Sequence, residues 1–440
     1  MQSSYQLITP NLPQSRFVVE AMVAKAAEVS GLTVDESFLL AQACGEVHGF
    51  LSQGPEDSQL DWRVLGGRSY AEAQVWLPAR PRTWQALQAC QLSGMLRDHT
   101  RERLLPAAGL KPGQTSLMRA ARAVERVSLR AEERRVGLCL RKEHGYPDWE
   151  GEPLAPAPSQ PPQRLDVPTL AGLQEFCSRL RLDQPEAPGW LSHPQRLADL
   201  LACEELQGVL AYGLQDRVLG AMFWRFRNRI VDGLGPYLLQ GQSKELAESL
   251  LNHCLKAIGR TPAVGLSVSY ITPALPVDQF ELLGKVRELV SRKFREVPIY
   301  FRQLHEDPGG FVWSTPELEP WLREQYQALA LAREIRLLGP ASAVQSPYSA
   351  FSTQASGERS RLVLRPIHTG QDFSDNLQRY LAAAREIACP NVFLEMELSQ
   401  SWQVSLAQDL QALNFRPCYV RPLGGEGLDL LIWQHDLEHS

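Results

Sequence analysis

A mixed α/β fold of the α+β kind, in two regions joined by a proline-rich spacer, is what this sequence predicts from three observations. Short apolar stretches with period-two alternation, such as "YAEAQVWLP", recur between longer ones with helical spacing, such as "SKELAESLLNHCLKAIG". At 440 residues the chain exceeds what one hydrophobic core normally serves, so two or three domains are expected. From Gly151 to Pro168, "GEPLAPAPSQPPQRLDVP" is too proline-dense for a helix or a sheet interior and suits a semi-rigid spacer. The expected division is 1–145, a linker over 146–167, then units over 168–295 and 296–440.

In the first region a strand is expected near Tyr5 to Thr9, then a helix through "SRFVVEAMVAKAAEVSG" with Phe17, Met22 and Ala26 on one face. Gly31 ends that helix as a C-terminal glycine does. "TVDESFLLAQACGEVHGFL" is a second helix, in which Thr33 and Glu36 have capping-box spacing. "LDWRVLG" and "YAEAQVWLP" flank "GGRS" as a hairpin. A helix over "SLMRAARAVERVSLRA" and a strand over "RRVGLCLRK" complete a two-layer sandwich.

The second region opens with helices over "TLAGLQEFCSRLRL" and "HPQRLADLLA" and three strands through "LQGVLAYGLQDRVLGAMFWRFRNRIVDGLGPYLL", the first turn lying at Gln215 and Asp216. "SKELAESLLNHCLKAIG" is a helix with Leu246, Leu250, Leu251 and Leu255 on one stripe, and "AVGLSVSYI" is a strand. A long helix is expected over "PELEPWLREQYQALALAREIRLL". The strand "RLVLRPI", the helix "DFSDNLQRYLAAAREIA", the strand "NVFLEMELS", the helix "WQVSLAQDLQALNF" and the strands "RPCYVRP" and "LDLLIWQ" follow.

Apolar content of 44% and charged content of 22% describe a packed, soluble chain. A formal charge of -5 gives no electrostatic reason to expect nucleic acid or an acidic membrane as partner. The eight cysteines stand singly, with no C-x-x-C pair, so buried thiols are expected and no metal site. The start "MQSSYQLITPNLPQSRF" has no secretory pattern, and no apolar run approaches the ~18 to 20 residues of a membrane helix. A cytoplasmic location is the expectation.

The order of elements in the first region resembles the histidine-kinase-type ATPase fold, and within it the small anti-sigma-factor kinases of bacterial partner switching. "LTVDESFLLAQACGEV" is similar to their N-box segment, and "GQTSLMRAARAVERVSL" with "RRVGLCLRK" to their last glycine box, helix and strand. The resemblance implies that Glu46 is the carboxylate that orients an attacking hydroxyl, with an Asn one turn later for Mg²⁺. That position holds Phe50, which offers no oxygen to a hard cation. "LPARPRTW" lacks the adenine-reading Asp and the glycines of the family loop, and after Gly113 come Gln114, Thr115 and Ser116. ATP with Mg²⁺ is therefore not expected; Gly113 is a remnant, Glu46 a helix-surface residue and His48 a structural histidine.

The second region resembles the acetyl-CoA-dependent N-acyltransferase (GNAT) superfamily as two related units. The closing "LNFRPCYVRP" looks like the L-G-F and strand that end many such domains, with Asn414 in place of Gly. The resemblance implies a pyrophosphate loop at Gln240, Gly241, Gln242, Ser243 and Lys244, where backbone amides and a helix N-terminus would hold acetyl-CoA. Capping by Ser243 before solvent-facing charges explains the same string without a ligand. No such loop is recognisable in the terminal unit. Acyl transfer to an amine needs a base and an acid; Tyr419, Tyr270 and Glu395 are the residues available, and Glu46 and Tyr419 the catalytic candidates of the whole chain. The expected function is that of a bacterial regulatory protein that recognises a protein partner, of the sigma-factor regulatory kind or similar. The alternative is an N-acyltransferase with a regulatory ATPase-like domain.

Overall fold

The computed structural model describes residues 3–52, 59–78, 81–95, 112–132, 135–147, 149, 151, 159–184, 187–290, 293–339, 346–356, 361–427 and 429–436. Strand β1 (Ser3–Pro10) leads into helices α1 (Arg16–Val29) and α2 (Val34–Leu51) and the hairpin β2 (Gln59–Gly67) and β3 (Tyr70–Pro78). Helices α3 (Pro81–Met95) and α4 (Pro112–Arg122) precede a second hairpin, β4 (Arg126–Glu132) and β5 (Arg135–Glu143). The sheet order is β1-β2-β3-β5-β4, antiparallel throughout.

Alternation decides the two faces of this sheet. Val64, Val75, Leu129 and Leu138 join the helices in one buried core. Glu72, Trp76, Arg126 and Arg141 lie on the other face, which carries no helix of this module. The Thr33 hydroxyl accepts from the Glu36 amide at 3.3 Å while the Thr33 amide donates to the Glu36 carboxylate at 2.9 Å. Such a cap stabilises a helix by about 1 kcal/mol. Gly31, with φ +95°, provides the left-handed stop after α1.

Several expectations need correction here. Phe17 is 71% exposed, and the buried stripe of α1 is Val19, Val23, Ala26 and Ala27. The helix expected over "SLMRAARAVERVSLRA" stops at Arg122, and Arg126–Glu132 is a strand because Val127 and Leu129 alternate inward against Leu140 and Leu138. Residues of "LPARPRTW", expected as a loop, open α3 at Pro81, a position where proline's missing donor costs nothing. The glycine box falls within α4, Gly113 in its first turn.

The next unit comprises β6 (Arg164–Asp166), α5 (Leu170–Asp183), α6 (Pro194–Ala202), β7 (Gln207–Tyr212), β8 (Val218–Arg227) and β9 (Ile230–Leu238). It continues with α7 (Lys244–Ile258), β10 (Gly265–Tyr270) and the hairpin β11 (Glu281–Val290) and β12 (Lys293–Gln303). Seven strands form one sheet in the order β11-β12-β10-β9-β8-β7-β6. Only β9 and β10 run parallel, because α7 crosses over between them. Gln215 and Asp216 form the expected turn, with φ of 56° and 58°. The spacer Gly151 to Pro168 lies partly outside the described residues, and its end contributes β6. The expected division at 295/296 falls inside β12.

The remaining elements are β13 (Phe311–Ser314), α8 (Glu319–Ala328), β14 (Glu334–Leu337), β15 (Ala350–Ser356), β16 (Arg361–His368) and α9 (Phe373–Glu386). They end with β17 (Asn391–Glu397), α10 (Ser401–Val404), α11 (Ala407–Ala412), β18 (Phe415–Arg421) and β19 (Leu430–His435). The last sheet has the order β15-β16-β17-β19-β18, with β16 and β17 parallel through α9. The long helix expected from Pro316 onward is only α8: Ala330 turns left-handed at φ 52°, and Glu334–Leu337 pairs with β13. Tertiary pairing overrides the helical propensity of that stretch. The helix expected over "WQVSLAQDLQALNF" is two short helices.

The two large sheets are joined by side chains that imitate a strand. The amides of Arg287 and Leu289 donate to the Gln434 and Asn391 side chains at 3.0 and 2.8 Å. Gly284 permits this approach, since a Cβ there would lie 2.6 Å from the Cys418 carbonyl oxygen. Behind the last sheet, the fully buried Arg333 guanidinium is held by Asp307 and Asp429 at 2.8 Å each, and Tyr326 donates to Asp429 at 2.9 Å. Every charge in that cluster has a partner, which a buried ion pair requires. Among the described residues no helix is long and apolar enough to cross a membrane.

Candidate functional site

The features that sequence reasoning singled out fall at separate places. On α2, Glu46 lies 3.6 Å from Arg16 of α1 and 3.8 Å from Arg119 of α4, so its charge ties the helix layer together. Phe50, one turn on, packs against the core of this module. His48 is fully buried, with Nε2 2.9 Å from the Leu12 carbonyl to which it donates. The segment after β3 is engaged elsewhere: α3 docks on the last sheet. Trp84 stacks on His368 at 5.0 Å, and Gln88 donates to the Ser349 carbonyl. With its amide turned to satisfy both ends, Gln91 donates to the Phe351 carbonyl at 2.9 Å and accepts from the Thr353 amide at 3.0 Å.

Gln240, Gly241, Gln242, Ser243 and Lys244 stand where the resemblance places a pyrophosphate loop, between β9 and α7 of the parallel crossover. Gly241 takes φ +89°, which only glycine adopts freely. Two backbone donors of this loop are already engaged. The Gln240 amide donates to the Asp183 carboxylate of α5 at 2.8 Å, and the Gln242 amide to the Leu239 carbonyl at 3.3 Å. Asp183 also receives Arg179, a guanidinium 2% exposed, at 3.0 Å. At the helix N-terminus Ser243 makes no side-chain cap. Its hydroxyl and the Glu245 amide hold the Glu245 carboxyl below its ordinary pKa, so the chain's own anion sits at the positive end of α7.

The second parallel crossover is closed in a different way. Between β16 and α9, Gly370 lies against residues 346–349 so tightly that a Cβ would meet the Tyr348 carbonyl carbon at 2.2 Å. Gln371 donates its amide to the Ser346 carbonyl at 2.8 Å, and the Asp372 carboxylate accepts the Ser349 amide at 2.5 Å. Buried Asn376 fixes Ser349 from below, and Gln88 of α3 reaches it from the first module.

A cleft of 1360 Å³ separates the helix-free face of the first sheet from the C-terminal ends of β16 and β17. Pairing of those strands stops at Leu364 and Leu394. Beyond it the Gln403 side chain bridges the gap, accepting from the Glu397 amide at 2.7 Å and donating to the Pro366 carbonyl at 3.1 Å. One wall carries Arg126 directly across from Arg141 in the ladder. Burial, reinforced by the like charge of Arg141, lowers the Arg126 pKa. On the other wall burial would push the Glu395 carboxyl up, but Arg365 and Arg421 overcome it and hold it below the ordinary range. Burial raises the Glu397 carboxyl, and the hydrogen bond it accepts from the Glu426 amide offsets only part of that rise.

Tyr419 and Glu395 are brought together through Arg421, which donates to the Tyr419 hydroxyl at 3.3 Å and lies 3.6 Å from Glu395. Tyr419 is 3% exposed. Tyr270 lies on β10 in the other large sheet, and Gly113 on α4, so neither joins this group. Among the described residues no three His, Cys, Asp or Glu side chains are grouped to hold a metal ion. Sequence reasoning missed Asp183, Arg126, Glu397 and Gln403. Arg126 had a local signal in the alternation of "RVSLRAE"; the contact of Asp183 with Gln240 had none, because the two are 57 positions apart.

No family model matches the chain, and no curated protein sequence does. Solved structures do match. A GNAT-superfamily phosphinothricin acetyltransferase from Sinorhizobium meliloti, in complex with acetyl-CoA, is 18% identical over 33% of this chain and 90% of its own, with a TM-score of 0.28. Spermidine N-acetyltransferase from Vibrio cholerae is 11% identical over 32% of this chain and 95% of its own, with a TM-score of 0.27. The PaiA N-acetyltransferase from Thermoplasma acidophilum, in complex with coenzyme A, is 10% identical over 32% and 99%, with a TM-score of 0.25. Each likeness spans about a third of this chain, and at these scores none carries a residue-level correspondence.

Proposed function

We propose that this chain is a bacterial regulatory recognition protein. Its ATPase-like module and its two acyltransferase-like units serve as binding surfaces for a protein partner, and neither nucleotide nor acyl thioester is turned over. The observation that carries this reading is the closure of both crossover loops: Asp183 and Glu245 occupy the first, and residues 346–349 the second. With the Gln240 amide turned to Asp183 and the Gln242 amide to the Leu239 carbonyl, the first loop has fewer donors for a pyrophosphate. Glu46, held between two arginines with Phe50 one turn on, supports the same reading for the N-terminal module.

A second reading, acetyl-CoA-dependent N-acyl transfer, is favoured by one observation: Gly241 keeps its left-handed backbone directly before an α7 N-terminus that Ser243 leaves uncapped. Gln240 to Lys244 would then hold the cofactor. Thermal-shift titration separates the two. Recognition predicts no change of Tm with millimolar Mg-ATP or acetyl-CoA. Acyl transfer predicts a rise with acetyl-CoA, by mass action, that Gly241→Glu removes. A rise that Gly241→Glu removes would replace the first reading by the second.

A further inference from the structure

A second cavity, of 280 Å³, lies at the seam between the two large sheets, away from both crossover loops and from the cleft. It is walled by Leu289 of β11, Leu381 and Ala384 of α9 and Val392 of β17, so its interior is apolar. Two polar groups face this surface. His435 is 5% exposed, and its Nδ1 has no hydrogen-bond partner among the described residues. Arg385, an exposed residue of α9, also lines the cavity and has no ion pair among the described residues. The lining contains no Asp or Glu. Asp436, whose field reaches His435, lies outside it.

We propose that this seam cavity binds a small apolar monocarboxylate, its hydrocarbon part among Leu289, Leu381, Ala384 and Val392 and its carboxylate paired with Arg385. Size and charge together select that class. The volume of 280 Å³ is nearly twice the ~150 Å³ of a cavity that holds benzene, which leaves room for one ring and a short acid arm. A lone guanidinium at the rim of an apolar cavity without acids favours one carboxylate over an amine or a neutral amide. Burial and the nearby Arg385 charge keep the His435 pKa low, so its ring is neutral at pH 7 and can exchange a hydrogen bond with the bound acid. The ligand would bridge β11 and α9 and so fasten the two acyltransferase-like units to each other. This site is independent of the reading given above for the crossover loops.

The test is ¹⁹F NMR of 4-fluorophenylacetate with the full chain, with 4-fluorophenylacetamide as the neutral control. The acid is expected to bind and the amide to bind at least tenfold more weakly, since a hydrogen bond to a charged group contributes that much. Arg385→Gln, a surface change that leaves the core intact, should weaken the acid about tenfold and leave the amide unchanged. Ala384→Leu, which fills the cavity, should abolish both signals. Absence of acid binding at 5 mM probe, on the order of the weakest affinities of interest, overturns the proposal. So does equal binding of acid and amide, or an Arg385→Gln variant that binds the acid like the parent; this variant decides the matter even where Ala384→Leu does not fold.

Discussion

The two parallel crossovers, β9–α7–β10 and β16–α9–β17, are built alike and closed differently. In the first, one half-buried carboxylate from a preceding helix, Asp183, takes the Gln240 amide. In the second, a strip of backbone over residues 346–349 lies across the loop, and the first module's Gln88 and the α9 residue Asn376 anchor it. The first closure is electrostatic and internal to its unit; the second is steric and depends on another module. One topology can therefore keep its shape while its crossover loop is packed by whatever the rest of the chain supplies.

The comparison can be broken most severely at Asp183. Asp183→Ala leaves the Arg179 guanidinium, 2% exposed, without its carboxylate, and removal of one partner of a buried pair costs about 3 to 5 kcal/mol. Urea denaturation should show that loss, and a variant as stable as the parent would refute the electrostatic closure. The same variant frees the Gln240 amide, so an acetyl-CoA shift present only there would identify Asp183 as the block.

Next in size is the steric closure. Gly370→Ala places a Cβ 2.2 Å from the Tyr348 carbonyl carbon, so backbone must move, at a cost of about 3 kcal/mol. Gly241→Ala carries the penalty of φ +89°, about 1 kcal/mol. Paired thermal melts should place Gly370→Ala well below Gly241→Ala; the reverse order would mean that the second loop is not plugged.

The smallest effect is expected where the second crossover opens on the cleft. Glu397 has a folded pKa raised by burial, so ionisation in the folded state works against stability once the pH exceeds the unfolded pKa. Below that pKa both states are protonated and the penalty vanishes. Glu397→Gln should raise Tm modestly at pH 7 and leave it unchanged near pH 4. An equal rise at both pH values would show that packing, not charge, is responsible.

What was legible in the sequence follows the range of the interactions involved. The capping box of Thr33 and Glu36, the turn at Gln215 and Asp216 and the apolar stripe of α7 depend on neighbours a few positions apart. Stretches such as "RVSLRAE" and "REIRLL" continue a helical pattern, and their strand state comes from partners elsewhere in the chain, Arg135–Glu143 and Phe311–Ser314. The placement of Gln240 to Lys244 on a crossover loop was readable from element order. The engagement of that loop by Asp183 was not.

By itself the sequence determined the capping box of Thr33 and Glu36, the place of Phe50 one turn after Glu46, and the single spacing of the cysteines, since each depends on residue identity and short spacing. Tertiary structure alone decided that Asp183 engages the first crossover loop and residues 346–349 the second, that α3 docks on the last sheet, and that Arg126, Glu395 and Glu397 line one cleft. The physical reason is that hydrogen-bond saturation and burial are properties of groups brought together by folding, such as the Arg287 amide and the Gln434 side chain, 147 positions apart.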